Sequence, residues 1–221
     1  KEPDRPFEYV EEQESWLINI AKDLDKLQQR AVQEQAGNLS IVIRYASEMN
    51  DARSLGKNEW GRDPAGFIKS FRFVREIFNE HADRVRFSFS PTVRADIDLK
   101  ALPGYWPGKP TDPFPYVNVI ACTWYVGEQN DFAKATEKMR SYFINRKGRN
   151  LPFGFDELGG RDGTGGNDRM MLQMLGEIDK LGHEVHGKDI HFEYATLFID
   201  GSDFGRDATL AFLKGHQDSF A

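Results

Sequence analysis

Between residues 9 and 35 (YVEEQESWLINIAKDLDKLQQRAVQEQ) the chain has neither proline nor glycine, and apolar side chains recur at helical spacing. Trp16, Ile20, Leu24 and Leu27 fall at i, i+4, i+8 and i+11, which predicts one helix with that stripe as its core face. Gly37 and Asn38 supply the stop. The next run, 39–45, is short, β-branched and almost unbrokenly apolar, the pattern of a parallel strand covered on both faces. The same alternation then repeats. A helix is predicted over 64–82 with Pro64 in its first turn, a strand over 85–90 (VRFSFS) and a strand over 117–124 (VNVIACTW). A helix over 131–145, a short strand over 152–156 (PFGFD), a helix over 169–181, a strand over 190–198 and a last helix over 206–216 complete the series. A loop at 91–116 carries six prolines and GYWPG, and a loop at 158–168 holds five glycines. Strands alternating with helices imply βα units around a parallel sheet, about five of them. No polar linker interrupts residues 1–221, so a single domain is expected.

Composition narrows the class. Of 221 residues, 39% are hydrophobic and 29% charged, which suits a globular protein with a sizeable core. A formal net charge of -6, without a clustered basic run, argues against a nucleic-acid partner. No stretch approaches the roughly 18 apolar residues that span a bilayer, so no membrane partner is expected. The start, KEPDRPFEYVEEQESW, is charged throughout and does not read as a signal peptide, although a removed leader would leave no trace. Cys122, the only cysteine, cannot form an intramolecular disulfide.

The chemistry is sought at strand ends, because βα folds deliver functional side chains from strand C-termini and the loops that follow. In VIRYASEMND (42–51) an apolar run gives way to Arg44 and then Glu48 among polar neighbours. A second glutamate, Glu157, follows the fourth strand and precedes the glycine-rich loop. A lone strand-end glutamate is most often a cap or a surface ion-pair partner. Two of them, with the Trp124–Tyr125 pair between, fit glycoside hydrolysis: one carboxyl protonates the leaving oxygen while the other attacks the anomeric carbon or activates water. The acid must keep its proton near neutral pH, so burial or a like charge must raise its pKa.

These segments resemble glycoside hydrolase family 26, in clan A of the (β/α)8 hydrolases. IVIRYASEMND is similar to that family's strand-four motif, and RDPAGFIKSFRFVREIFNEHADRVRFSFSP to the helix and strand five that follow. YWPG…YVNVIACTWY looks like the loop and strand six, and LPFGFDELGG like strand seven. The resemblance covers roughly residues 35–160. It implies a partial (β/α)8 TIM barrel of about five βα units, strands four to eight, forming the C-terminal part of a glycosidase. It implies Glu48 as general acid/base and Glu157 as nucleophile, with retention through a covalent glycosyl-enzyme and carboxyls about 5–5.5 Å apart. Arg44 and Tyr125 would orient the nucleophile, Trp124 would line a sugar subsite, and Asn50, Trp60 and Trp106 would meet substrate. A polysaccharide or oligosaccharide is the expected partner (mannan, xylan or β-glucan-like), cut in endo fashion without metal or cofactor. The family favours a secreted or periplasmic location. Ser47 stands where the family usually has His, removing an imidazole beside the acid. Only one predicted helix precedes Glu48, so strands one to three are absent. Five strands cannot close an eight-stranded barrel, so the missing segment is expected upstream in a longer chain or supplied elsewhere.

Other features have plainer readings. A metal site would need His183, His186 and His191 (HEVHGKDIH) to converge with a further ligand; a solvated helix end with loop histidines is the favoured reading. DGTGGND (162–168) lacks the ligand spacing of a calcium loop and suits a flexible loop, with Asp168 capping the next helix. Phe71, Phe73, Phe78, Phe87 and Phe89 are expected in the core. Glu193, within the last strand, is the rival nucleophile. Tyr105 and Trp106 could be an exposed sugar platform or could fold back on their own loop. The competing functions are a non-catalytic carbohydrate-binding or processing protein on a hydrolase-like scaffold, and an α/β enzyme whose acid pair acts on a non-sugar substrate.

Overall fold

A computed structural model of the chain describes residues 6–50, 63–92, 99–109, 111–126, 151–160, 176 and 192–197. Expected helices 131–145 and 206–216, the loop 161–168, and the helix 169–181 apart from helical Gly176 lie outside the described residues.

The chain folds as two compact units, residues 1–92 with 97–119 and residues 93–96 with 120–221. The first unit begins with two helices where the pattern predicts one. Helix α1 (Pro6–Glu12) and helix α2 (Glu14–Gln33) are separated at Gln13, whose N–H turns back to the Val10 carbonyl at 3.1 Å. Helix α2 presents a face one residue out of phase with the expected stripe. Leu17, Ala21 and Gln28 are buried, while Trp16 is 59% exposed and Leu27 48%. Small Ala21 permits close approach, and the Gln28 amide donates to the Leu39 carbonyl at 2.9 Å, so packing outweighs the larger side chains of the rival stripe. The helix closes through Ala36 N–H to Ala31 O (2.9 Å) and Gln35 N–H to Val32 O (3.1 Å), with Gln35 left-handed at φ 58°. That is a Schellman ending built without glycine at the turning position.

Strand β1 (Val42–Arg44) is shorter than expected and pairs in parallel with strand β2 (Arg86–Phe89), Ile43 standing level with Phe87. Between them runs helix α3 (Pro64–His81). Asp63 caps it, its carboxylate accepting from Gly66 N–H at 2.8 Å, and Pro64 fills the first turn, where no N–H is needed. A Cβ at Gly66 would meet the capping carboxylate, which would have to shift to admit it. Phe67, Phe71 and Phe78 of α3 meet Phe87 and Phe89 of β2 edge to face, with centroids 5.3 Å apart for Phe78–Phe87 and 5.8 Å for Phe71–Phe87. Phe73 is only half-buried.

The long proline-rich loop contains a 3-10 helix (Leu99–Tyr105) and is fastened to α3. Arg72 holds Asp112 in a two-pronged pair (2.9 and 3.2 Å), donates to the Pro107 carbonyl, and lies 4.0 Å over the Tyr116 ring, whose hydroxyl donates to Glu76. Asn118 brackets Phe87 through its own N–H and its side-chain oxygen, both at 2.9 Å.

The second unit holds strands β3 (Val119–Val126), β4 (Phe153–Gly160) and β5 (Phe192–Leu197), parallel and adjacent in chain order. Ile120, Ala121, Cys122 and Thr123 are all buried in succession, as a strand covered on both faces requires. Strand β4 runs four residues beyond its expected end, taking in Gly159 and Gly160, which composition alone assigns to a loop.

Candidate active site

Strand β1 ends at Arg44, level with Ser88 of β2. The following turn, 45–50, then runs beside residues 90–92. Glu48 N–H donates to the Ser90 carbonyl at 2.8 Å. The Asn50 side chain pairs twice with the backbone of Thr92: Nδ2 donates to the carbonyl at 2.9 Å and Oδ1 accepts the N–H at 2.8 Å. Arg44 Nε donates to Ser90 Oγ at 3.3 Å. The ladder between β1 and β2 thus continues past both strands, first through backbone and then through a side-chain amide that imitates backbone.

Two non-glycine residues of this turn are left-handed, Ala46 at φ 45° and Glu48 at φ 59°. L side chains adopt that conformation at a cost. Three more contacts hold it. Met49 is fully buried, the Tyr45 hydroxyl is hydrogen-bonded to Ser70 of α3, and the Tyr45 ring stands edge-on to Phe71 at 5.9 Å. Burial pushes the Tyr45 hydroxyl above its usual pKa, and the Ser70 bond only partly opposes this. Half-buried Glu48 therefore sits at the C-terminal end of β1 in a backbone conformation fixed from several sides.

The other glutamate belongs to the second unit. In β4 the backbone of Glu157 stands level with Thr123 of β3, whereas Phe155 stands level with Cys122. Asp156 is the extra residue, so the register shifts by one there, and position 157 is out of phase with buried Phe153 and Phe155. Trp124 and Tyr125 lie level with Leu158 and Gly159, inside β3 rather than at its end. The backbone ladder so brings Glu157, Trp124 and Tyr125 onto adjoining strands; their side chains lie outside the described structure. Glu193 coincides with a second shift, falling between Phe192, level with Phe153, and Tyr194, level with Gly154.

Trp60 lies outside the described residues. Trp106 does not form an exposed platform: it is 8% exposed and packs edge-on to Phe89 at 5.2 Å, while Tyr105 packs on Phe67 at 5.9 Å. The phenylalanine-rich face of α3 and β2 gives both rings an apolar seat, which outweighs the pull of the loop toward solvent. Sequence reasoning missed the residues that hold the Glu48 turn, Ser90 and Thr92. The only signal for them was the polar end of the second apolar strand. Among the described residues no group of side chains could hold a metal ion, and no helix is long and apolar enough to cross a membrane. His183, His186 and His191 lie outside the described residues.

No protein-family model and no curated protein sequence matches the chain. Solved structures do. The catalytic domain of the Bacillus sp. JAMB-750 GH26 endo-β-1,4-mannanase superposes with a TM-score of 0.62 at 17% identity, covering 96% of this chain and 57% of that one. A double mutant of the Cellulomonas fimi endo-β-1,4-mannanase gives a TM-score of 0.62 at 16% identity, covering 91% of this chain and 46% of that one. The chain spans about half the length of these enzymes' chains. Its fold is theirs in part, an α/β fold forming a partial (β/α)8 barrel, which is the fold that the sequence motifs imply.

Proposed function

We propose that the chain carries the acid and nucleophile of a retaining, endo-acting β-glycan hydrolase, with mannan the leading substrate. The supporting observation is the likeness of fold to two mannanases along nearly the whole chain, with a glutamate held in a constrained turn directly after β1. Glu48 is the general acid/base. Its protonated carboxyl delivers a proton to the glycosidic oxygen as the bond breaks, then takes one from water in the second half-reaction. Glu157 is the nucleophile, attacking the anomeric carbon to form a glycosyl-enzyme that water hydrolyses with net retention. Arg44 and Tyr125 orient that carboxylate, and Trp124 offers a ring to the sugar face.

The test is release of reducing ends from mannan, xylan and mixed β-glucan by the full-length protein, with product stereochemistry followed by NMR. Glu157→Gln lowers kcat by about 10³-fold or more. Glu48→Gln lowers kcat/KM by about 10²–10⁴-fold on glycan, and much less on an aryl glycoside whose leaving group needs no proton. Normal activity of Glu157→Ala on every substrate cleaved by wild type would sink the proposal. The second reading, a carbohydrate-binding protein without turnover, is favoured by Ser47 in place of the family's histidine. Calorimetric binding of oligosaccharide with no reducing ends released over days would establish it.

A further inference from the structure

We infer that Asn50 is a positioning residue: its two hydrogen bonds to the Thr92 backbone hold the Glu48 turn in its left-handed conformation, so that it acts through Glu48 and not by touching sugar. The inference rests on the reading of Glu48 as the acid and adds a device that the resemblance does not supply.

The turn carries a conformational cost. A non-glycine residue at φ 59° and another at φ 45° two positions earlier each oppose it by about 1 kcal/mol or more. A turn so strained persists only where its surroundings over-determine it. On the N-terminal side, Tyr45 is anchored to Ser70 and Arg44 to Ser90. On the C-terminal side the hydrogen bonds include the Glu48 N–H to Ser90 O bond and the Asn50–Thr92 pair. The Asn50 amide engages both the N–H and the C=O of one buried residue, as a neighbouring strand would. Only asparagine has the donor and acceptor at this reach, because a shorter side chain falls short and aspartate has no donor. The clamp also ties residue 50 to residue 92, beyond the ends of both strands. Released, the turn relaxes toward right-handed dihedrals and the Glu48 carboxyl moves with it. A misplacement of about 1 Å is enough to cost on the order of 10²-fold in rate.

The experiment has two arms on wild type, Asn50→Ala and Asn50→Asp. The first is amide hydrogen exchange on the 221-residue chain, which needs no activity. Two hydrogen bonds of ordinary net strength correspond to about a 10- to 100-fold change in local opening. In Asn50→Ala the Glu48 and Thr92 amides therefore exchange at least about tenfold faster, while the Phe87 amide, held by Asn118, keeps its rate. Asn50→Asp keeps the acceptor for Thr92 N–H and restores part of the protection at both positions. Unchanged exchange at Glu48 in Asn50→Ala overturns the inference, as does equal acceleration at Glu48 and Phe87, which would mean general destabilisation. The second arm compares glycan with a dinitrophenyl glycoside in the full-length protein. A positioning role lowers kcat/KM on glycan and spares kcat/KM on the dinitrophenyl glycoside, whose kcat still falls because hydrolysis of the glycosyl-enzyme needs Glu48 as base; a sugar contact lowers kcat/KM on both with Glu48 exchange unchanged. If Glu48 exchange rises as expected but kcat/KM falls equally on both substrates, or on neither, the clamp stands and the reading of Glu48 as acid fails.

Discussion

At the scale of single residues, the turn after β1 shows a conflict between stability and placement. Ala46 has no side chain that chemistry would need, yet it sits at φ 45°. Glycine at that position relieves the steric penalty, and Ala46→Gly is expected to raise unfolding stability by about 0.5–1 kcal/mol in a urea titration. Glu48→Gly is expected to stabilise by a similar amount while abolishing glycan hydrolysis, the signature of a residue kept against the local optimum for its carboxylate. If both changes destabilise by more than about 1 kcal/mol, the turn is not strained and its left-handed residues are not a sign of function. Glu48 was legible as a candidate, because a glutamate after an apolar run is visible in any strand-end search. Its conformation was invisible, since neither Ala nor Glu signals positive φ. The partners of the turn were equally hidden: Ser90 and Thr92 are some forty positions away and carry no chemistry of their own. Trp106 could be placed either way by its loop and was decided by the apolar seat that Phe89 offers.

At the scale of elements, long periodic segments were legible and their phase was not. Helix α3 lies within one residue of its expected span, because Asp63, Pro64 and a dense aromatic stripe agree. In α2 two stripes compete. Trp16, Ile20, Leu24 and Leu27 are the more hydrophobic set, but Leu17, Ala21 and Gln28 are the buried one. Hydrophobicity reports how much surface a stripe could bury, whereas packing rewards a small residue at the closest approach. Leu17→Ala is therefore expected to cost about 2–3 kcal/mol, and Trp16→Lys less than about 0.5 kcal/mol, both read from urea midpoints; the reverse order would restore the expected phase. The fastening of the proline-rich loop makes a second prediction. Burial, then the Glu76 hydrogen bond and charge, push the Tyr116 hydroxyl up to about 12 from 10.0 despite the opposing Arg72 charge. The folded pKa exceeds the unfolded one, so the contribution is full below pH 10 and fades as pH rises toward 12. Asp112 behaves oppositely. Burial alone would raise it, but the Arg72 hydrogen bond, the Lys109 N–H and both cationic charges outweigh that and hold it below the usual carboxylate range. Its contribution is present above the unfolded carboxylate pKa and is lost as pH falls through the folded one. Tyr116→Phe should flatten the alkaline limb of the stability profile and Asp112→Asn the acid limb, the latter also drawing the alkaline limb toward lower pH because the Asp112 charge helps to raise Tyr116.

At the scale of the whole molecule, the chain has the fold of enzymes almost twice its length, and the first unit shows where that matters. Among the described residues β1 pairs with β2 alone, and its three residues are half-exposed although two are Val and Ile. In a closed barrel no strand keeps a free edge. The chain segment just before it, α2, carries Trp16 and Leu27 outward, about 16 Å apart along the helix axis at 1.5 Å per residue. Among the described residues this apolar parallel strand and the apolar helix stripe together form a template for pairing with another chain. Taken alone, the 221-residue chain is expected to self-associate, its sedimentation coefficient rising with concentration across the micromolar range. Replacing Trp16 and Leu27 together by lysine removes the stripe without touching the buried face of Leu17 and Ala21. The double variant should therefore sediment as a monomer at concentrations where wild type does not, with an unchanged melting temperature in dilute solution. A wild-type chain that stays monomeric throughout would mean that the stripe and the strand edge tolerate water.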